Sequence, residues 1–153
     1  MTDTPDLAPD VTLPRDGGNE VCLAALRGAP VVLFFYPRDD TSGCTREAVA
    51  FSHLKPEFDA LGAQVFGLSK DSVASHEKFR DKHALTVPLL SDEAGDVCER
   101  FGVWKEKSMY GKTFWGIERS TFLIDAEGRI VRAWRKVKVP GHAEEVLEAL
   151  RAL

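Results

Sequence analysis

The sequence predicts a single α/β domain built on a central mixed β-sheet flanked by helices, with a small β-hairpin at its N-terminal side. Three observations carry this. A continuous β-branched and aromatic run, Val31-Val32-Leu33-Phe34-Phe35-Tyr36, stands between Pro30 and Pro37, the pattern of a strand covered on both faces. Behind it, apolar residues recur at Ala48, Phe51, Leu54, Phe58 and Leu61, a helical stripe. Strand-like and helix-like segments then alternate, which implies parallel crossovers. At 153 residues the chain has the length of one domain.

Taken in order, residues 1–10, with Pro5, Pro9 and several acids and threonines, read as a flexible arm, leaving 11–153 as the domain. Gly17-Gly18-Asn19 is a turn signal between Val11-Thr12-Leu13 and Val21-Cys22-Leu23, the predicted hairpin. After the central strand, the polar segment Arg38 to Gly43 leads into the striped helix, with Cys44 on the stripe at its N-terminal end and Pro56 placed to kink or divide it. Ala63 to Ser69 reads as the next strand. Asp71 or Ser72 caps a helix reaching about Lys82, and Val87 to Leu90 reads as a third strand.

Gly95 to Phe101 predicts a short helix carrying Cys98, and the polar stretch Gly102 to Glu118 a long functional loop. Thr121 to Ile124 and Ile130 to Trp134 flank a hairpin turn at Asp125-Ala126-Glu127-Gly128-Arg129. Alternation after the turn predicts Val131, Ala133, Val137 and Val139 inward, with Arg132, Trp134, Lys136 and Lys138 outward. A helix from about His142 through Val146, Leu147 and Leu150 closes the chain after Pro140-Gly141. Strand, helix, strand, helix, strand, then a hairpin and a helix, is the order of a thioredoxin-like α/β fold.

Composition excludes several functions. A net charge of −4 is the wrong sign for a nucleic-acid binder, which needs Lys and Arg to displace counterions. The longest apolar run falls far short of the roughly 20 residues of a membrane-spanning helix, and the acidic N-terminus reverses the charge of a secretory signal. The chain reads as cytoplasmic. Three cysteines, Cys22, Cys44 and Cys98, without C-x-x-C spacing fit neither a disulfide framework nor a cysteine-rich zinc site. His53, His76, His83 and His142 lack ligand spacing and read as solvated surface. No metal or cofactor is expected. The basic residues from Arg129 to Lys138 read as an exposed strand face, and Trp104, Phe114 and Trp115 as either pocket wall or core.

A cysteine in the first turn of a helix meets converging backbone N–H groups, which favour the thiolate, the nucleophilic form. Core packing is the alternative reading of Cys44. Its surroundings, Tyr36-Pro37-Arg38-Asp39-Asp40-Thr41-Ser42-Gly43-Cys44-Thr45-Arg46-Glu47, resemble the P-x-x-x-T-x-x-C signature of peroxiredoxins, and D-D-T-x-G-C-T-x-E is similar to the peroxiredoxin Q, or bacterioferritin comigratory protein, branch. The resemblance extends through Ala8-Pro9-Asp10, Val31 to Pro37, Gly67 to Asp71, Pro88 to Asp92, Gly111-Lys112 and Arg119 to Asp125.

This resemblance implies a thiol-dependent peroxidase that reduces hydrogen peroxide and organic hydroperoxides, acting as a monomer or weak dimer. It implies Cys44 as the nucleophile oxidised to sulfenic acid, Thr41 as the hydroxyl that holds the peroxide and Pro37 as the shield of the pocket. It further implies that Arg119 completes the site and Glu47 orients that arginine. The chemistry suits these types: charge develops on the departing oxygen, and a guanidinium that never deprotonates can address sulfur and oxygen together.

Resolution of the sulfenate is where the chain departs from the family. Val49 and Arg80 stand where relatives carry a resolving cysteine. Cys98 is left as either a resolving or a structural residue, with a thioredoxin-type protein or a small thiol as reductant, and Cys22 reads as structural. A thiol-disulfide oxidoreductase would need a cysteine at Thr41, and a cysteine phosphatase an arginine at Ala50. The alternative is a redox-sensing or chaperone-like binding module without turnover.

Overall fold

The run around Phe34 becomes the middle of a five-stranded sheet in the computed structural model, which describes residues 6–153. Strands are β1 (Thr12–Pro14), β2 (Glu20–Cys22), β3 (Val31–Phe35), β4 (Gln64–Ser69), β5 (Leu89–Ser91), β6 (Trp104–Met109), β7 (Lys112–Ile117), β8 (Ser120–Ile124) and β9 (Ile130–Arg135). Helices are α1 (Ser42–Ala60), α2 (Val73–His83), α3 (Val97–Arg100) and α4 (His142–Arg151), with a 3₁₀ turn at Leu23–Leu26. The central sheet has the order β5-β4-β3-β8-β9. β3 pairs parallel with β4 and antiparallel with β8, so the sheet is mixed and the fold is thioredoxin-like.

Every residue of β3 is buried because both faces are covered. Val32 and Phe34 pack with Phe51 and Phe58 of α1 and Val146, Leu147 and Leu150 of α4. Leu33 and Phe35 point the other way, into a second cluster with Val97, Cys98, Phe101, Ile117 and Phe122. Period-2 alternation thus assigns the two halves of the core. The apolar stripe of α1 buries Cys44, Ala48, Phe51 and Phe58, as its spacing predicts.

Pro56 neither ends nor divides α1. A proline cannot donate to the carbonyl four residues earlier; here the Ser52 carbonyl accepts from Thr86 Oγ1 at 3.2 Å, while Ser52 Oγ accepts from the backbone N–H of Thr86 at 3.0 Å. The interrupted ladder has become a docking point for the approach to β5.

The segment expected as a functional loop, Gly102 to Glu118, is instead mostly the β6–β7 hairpin. Its turn is Tyr110-Gly111, both at positive φ (53° and 77°), the geometry of a two-residue hairpin turn. The ribbon is largely exposed on both faces, so it lacks the apolar alternation that announces a half-buried strand.

Of the inward set expected along β9, Val131 packs against the α1/α4 core as expected, while Ala133 is corrected. A register irregularity at Leu123/Ile124 sets Leu123 opposite Arg132 and Ile124 opposite Ile130. The extra residue inverts the faces: Trp134 is half-buried against the α1/α4 core, while Ala133 is exposed.

Of the expected arm, residues 1–5 lie outside the described residues. Asp6 to Ala8 pack along the β8–β9 turn, with Ala8 N–H donating to the Gly128 carbonyl at 2.8 Å and Ile130 N–H to the Asp6 carbonyl at 2.8 Å. The N-terminal hairpin β1–β2 forms between the expected segments, with its strand bounds one residue nearer the turn, and Leu23 belongs to the 3₁₀ turn. Two histidines expected at the surface, His76 and His142, are buried. Among the described residues no helix is long and apolar enough to cross a membrane.

Candidate active site

β3 runs to its C-terminal end in the middle of the sheet, and the chain then turns through residues 36–41 into α1. Ligand sites of open α/β sheets gather at such strand ends. Cys44 lies in the first turn of α1, 1% exposed, where N–H groups of the helix start are still free to favour an anion. Thr41, at the N-cap, is exposed and accepts the Thr45 N–H on its backbone carbonyl at 2.8 Å. Its hydroxyl does not take a capping bond; Oγ1 donates to the Arg38 carbonyl at 2.9 Å. Pro37 is exposed beside them, directly after buried Tyr36.

From the opposite side, Arg119 enters from the link between β7 and β8. Its Nη2 donates to Cys44 Sγ at 3.3 Å and its Nη1 to Glu47 Oε1 at 2.7 Å. The guanidinium therefore bridges two residues of one helical turn. Burial works against its charge, but Glu47 and the Cys44 sulfur hold its pKa above the ordinary arginine value. Burial pushes the Glu47 carboxyl up to about 7 against the opposing pull of Arg119. Among the described residues Glu47 Oε2 has no hydrogen-bond partner, so this acid is held as the orienting partner of a single cation.

The roles of two neighbouring residues were not legible from the sequence. A Cβ at Gly43 would lie 3.1 Å from Arg119 Nη2, so the glycine leaves the space in which the guanidinium reaches sulfur. Lys107 of β6 donates to the Ile117 carbonyl. Its ammonium is lowered first by burial and then by Arg119, while Cys44 acts in the opposite direction, which sets it in the field of the same site. Only a hairpin folded back on itself brings Lys107 there, and no local motif marks that.

The other cysteines lie elsewhere. Cys98 is fully buried in the cluster on the far face of the sheet from Cys44. Its N–H donates to Asp92 Oδ2 at 2.9 Å, and burial together with Asp92 pushes its thiol far above the ordinary range. Cys22 is half-buried in the N-terminal hairpin, its sulfur 4.0 Å from Asp10 Oδ1. Arg80, in α2, reaches Asp16 Oδ2 at 3.0 Å and ties that helix to the N-terminal hairpin.

Of the three aromatic residues left open, Trp104 packs on the core of the far face beneath Lys70, whose Nζ is 4.9 Å from the ring centre. Phe114 and Trp115 are exposed on the β6–β7 ribbon. No group of three or more His, Cys, Asp or Glu side chains able to hold a metal ion occurs among the described residues.

Comparison with known proteins places the chain in a family. Residues 5–133 match the model of the AhpC/TSA family. Peroxiredoxin Bcp of Xanthomonas campestris is 52% identical over 143 residues, which are 94% of this chain and 89% of that protein. Peroxiredoxin Bcp of Bacillus subtilis is 48% identical, covering 94% and 92%. A solved structure of the Xanthomonas campestris bacterioferritin comigratory protein, described in terms of its alkyl peroxide reduction activity, superposes with a TM-score of 0.91 at 49% identity over 98% of each chain. The chain belongs to the AhpC/TSA family, in its peroxiredoxin Q (Bcp) branch, and is a thiol-dependent peroxidase.

Proposed function

We propose that Cys44 is the peroxidatic nucleophile, with Arg119, Thr41, Pro37 and Glu47 as its site, and that an external thiol completes the cycle. The observation that carries this is the 3.3 Å contact from Arg119 to Cys44 Sγ at the start of a helix. A thiolate there attacks the terminal oxygen of the hydroperoxide in line with the O–O bond. The S–O bond forms as the O–O bond breaks, the departing alkoxide takes a proton to become the alcohol, and Cys44 is left as sulfenic acid.

Arg119 answers the charge on the departing oxygen. The Thr41 hydroxyl has its proton engaged with Arg38, so its lone pairs are available to accept the hydrogen of the peroxide. Glu47 holds the guanidinium in place, and Pro37 limits water at the mouth. Hydrogen peroxide and organic hydroperoxides both fit, since only the O–OH group is recognised; the alkyl peroxide activity described for the Xanthomonas protein supports the second class.

The position of Cys98 behind the sheet supports resolution by a small thiol or a thioredoxin-type protein. A first thiol condenses with the sulfenic acid, releasing water and forming a mixed disulfide; a second thiol displaces Cys44 and leaves as the oxidised disulfide. The chain acts in the cytoplasm as a monomer or weak dimer. Cys44→Ser abolishes peroxide turnover on this reading, measured as thiol-dependent consumption. Retained consumption in that variant, with loss in Cys98→Ser or Cys22→Ser, moves the nucleophile elsewhere.

A further inference from the structure

The loop that delivers Cys44 is held by a buried polar cluster with which the reaction described above has no direct dealings. Asp39 Oδ1 accepts from the Tyr36 hydroxyl at 2.6 Å, and Oδ2 accepts from Ser75 Oγ at 2.7 Å and lies 2.7 Å from His76 Nδ1. The Asp39 N–H donates to Asp71 Oδ2 at 2.8 Å. The next residue, Asp40, has its backbone at φ 60° and its carboxylate on Lys82 Nζ at 2.7 Å and His83 Nε2 at 2.8 Å. Two consecutive loop residues are thus fastened to α2, one on its buried side and one on its exposed side.

The protonation of His76 follows from what it faces. Nε2 lies 2.8 Å from the Leu90 carbonyl oxygen and Nδ1 faces the Asp39 carboxylate. A carbonyl and a carboxylate only accept, so a ring that satisfies both carries two protons. The fully buried His76 is an imidazolium paired with Asp39. Burial opposes that charge, but Asp39, the Leu90 carbonyl and Asp71 outweigh it and raise the pKa. The titratable groups facing the ring are Asp39 in the loop, Tyr36 at the end of β3 and Asp71 ahead of α2, while β5 contributes the carbonyl of Leu90.

We propose that His76 and Asp39 are positioning residues for peroxide reduction: their buried pair clamps the β3–α1 loop to α2 and so fixes where Thr41 and the helix start meet the peroxide. The clamp rests on the assignment of Cys44 as nucleophile, four residues beyond Asp40, and it acts through the loop. Deprotonation of His76 removes the donor from either Asp39 or Leu90, loosening a loop whose placement decides reactivity. Oxidation of Cys44 therefore falls on the alkaline side.

The test is stopped-flow oxidation of Cys44 by hydrogen peroxide from weakly acid to alkaline pH, with amide exchange over residues 37–47 measured on the same proteins. His76→Phe and Asp39→Ala should slow oxidation by roughly tenfold or more, since small misplacements of reacting groups carry costs of this size. Their thiolate absorbance should titrate as in the parent, and exchange over 37–47 should accelerate.

Asp39→Asn lets a neutral ring keep Nε2–H on Leu90 while Nδ1 accepts from the new amide. It should recover most of the rate lost in Asp39→Ala and lose the alkaline fall. An alkaline fall that persists in Asp39→Asn overturns the proposal, as do parental rates and exchange in His76→Phe; if His76→Phe does not fold, the two Asp39 variants carry the test. Peroxide consumption surviving Cys44→Ser overturns the nucleophile assignment and the catalytic half of the clamp with it. Amide exchange reports the loop itself and tells that failure apart from a failure of the clamp.

Discussion

At the level of single residues, the site is a cation fitted between a sulfur and a buried carboxylate. Replacing Arg119 by Met removes the donor to Cys44 Sγ and leaves buried Glu47 without its partner. The variant is expected to oxidise more slowly even at a pH where the thiolate is complete; stopped-flow rates across pH measure this, and rates that recover fully at high pH would leave Arg119 without a role on the peroxide. A subtler probe is Gly43→Ala. Its methyl would stand 3.1 Å from Arg119 Nη2, and because Glu47 holds the other arm of the fork, the guanidinium yields by turning away from sulfur. The expected result is a folded protein with roughly tenfold slower oxidation, the scale of a small misalignment; a parental rate shows that Arg119 has room to spare. A continuous signature and one strand-entry arginine marked Cys44, Thr41, Pro37, Glu47 and Arg119 as candidates, and the fold brings Cys44, Glu47 and Arg119 into contact. Gly43 was in view, but its reason is a side chain from the other end of the chain. His76 was misread because a lone histidine on a polar helix gives no sign of the acid and the carbonyl that the fold brings to its two nitrogens.

The elements show the same division between local and non-local information. β3 and α1 were legible because each carries its own periodicity, and the start of α2 was legible to within one residue, Asp71 or Ser72, the cap being Ser72, whose side chain accepts the Ser75 N–H at 3.1 Å. The β6–β7 ribbon was not, since a hairpin exposed on both faces has no apolar alternation to display. Nor was the shift that buries Trp134, because a bulge inverts the faces of a strand without leaving a mark in hydropathy. Element placement also bears on how the sulfenate would be resolved. α1 and α3 cover opposite faces of the sheet, putting Cys44 and Cys98 in separate halves of the core, whereas a disulfide needs Cα atoms within about 7 Å. Joining them would require the first turn of α1 or the segment around Cys98 to unwind, breaking buried packing on at least one face of the sheet. Peptide mapping of protein treated with one equivalent of peroxide is therefore expected to find Cys44 as sulfenic acid and Cys98 as free thiol. Cys98→Ser should turn over at the parental rate with both a small thiol and thioredoxin; a mapped Cys44–Cys98 bridge would show that one of these segments opens during the cycle.

For the whole molecule, the α1/α4 side of the core carries oppositely perturbed groups, and these set how stability responds to pH. Glu47 is raised from 4.5 to about 7 by burial. Between those values the native state holds the proton more tightly than the unfolded chain, so its contribution to stability is complete below 4.5 and declines as pH climbs through 7. His142, packed edge-on against Phe51 and Trp134 with Nε2 2.8 Å from Thr121 Oγ1, is lowered from 6.5 to about 4, chiefly by burial. There the unfolded chain holds the proton more tightly, so the contribution is complete above 6.5 and is lost as pH falls through 4. His76 is raised above 6.5, and its contribution changes only on the alkaline side of that value. Each of the first two shifts corresponds to a swing on the order of 3 kcal/mol, in opposite directions over nearly the same range, so the intact protein should show little change in stability from about pH 4.5 to 6.5 on their account. Glu47→Gln removes only the declining contribution and His142→Gln only the rising one. Urea midpoints for Glu47→Gln should climb more steeply with pH than those of the parent, and midpoints for His142→Gln should fall with pH. The slopes are the readout, because either substitution also moves the absolute midpoint through its effect on packing. Parallel curves for parent and Glu47→Gln would mean that the Arg119 bridge keeps Glu47 ionised throughout, and the site would then meet peroxide with its carboxylate charged well below neutral pH.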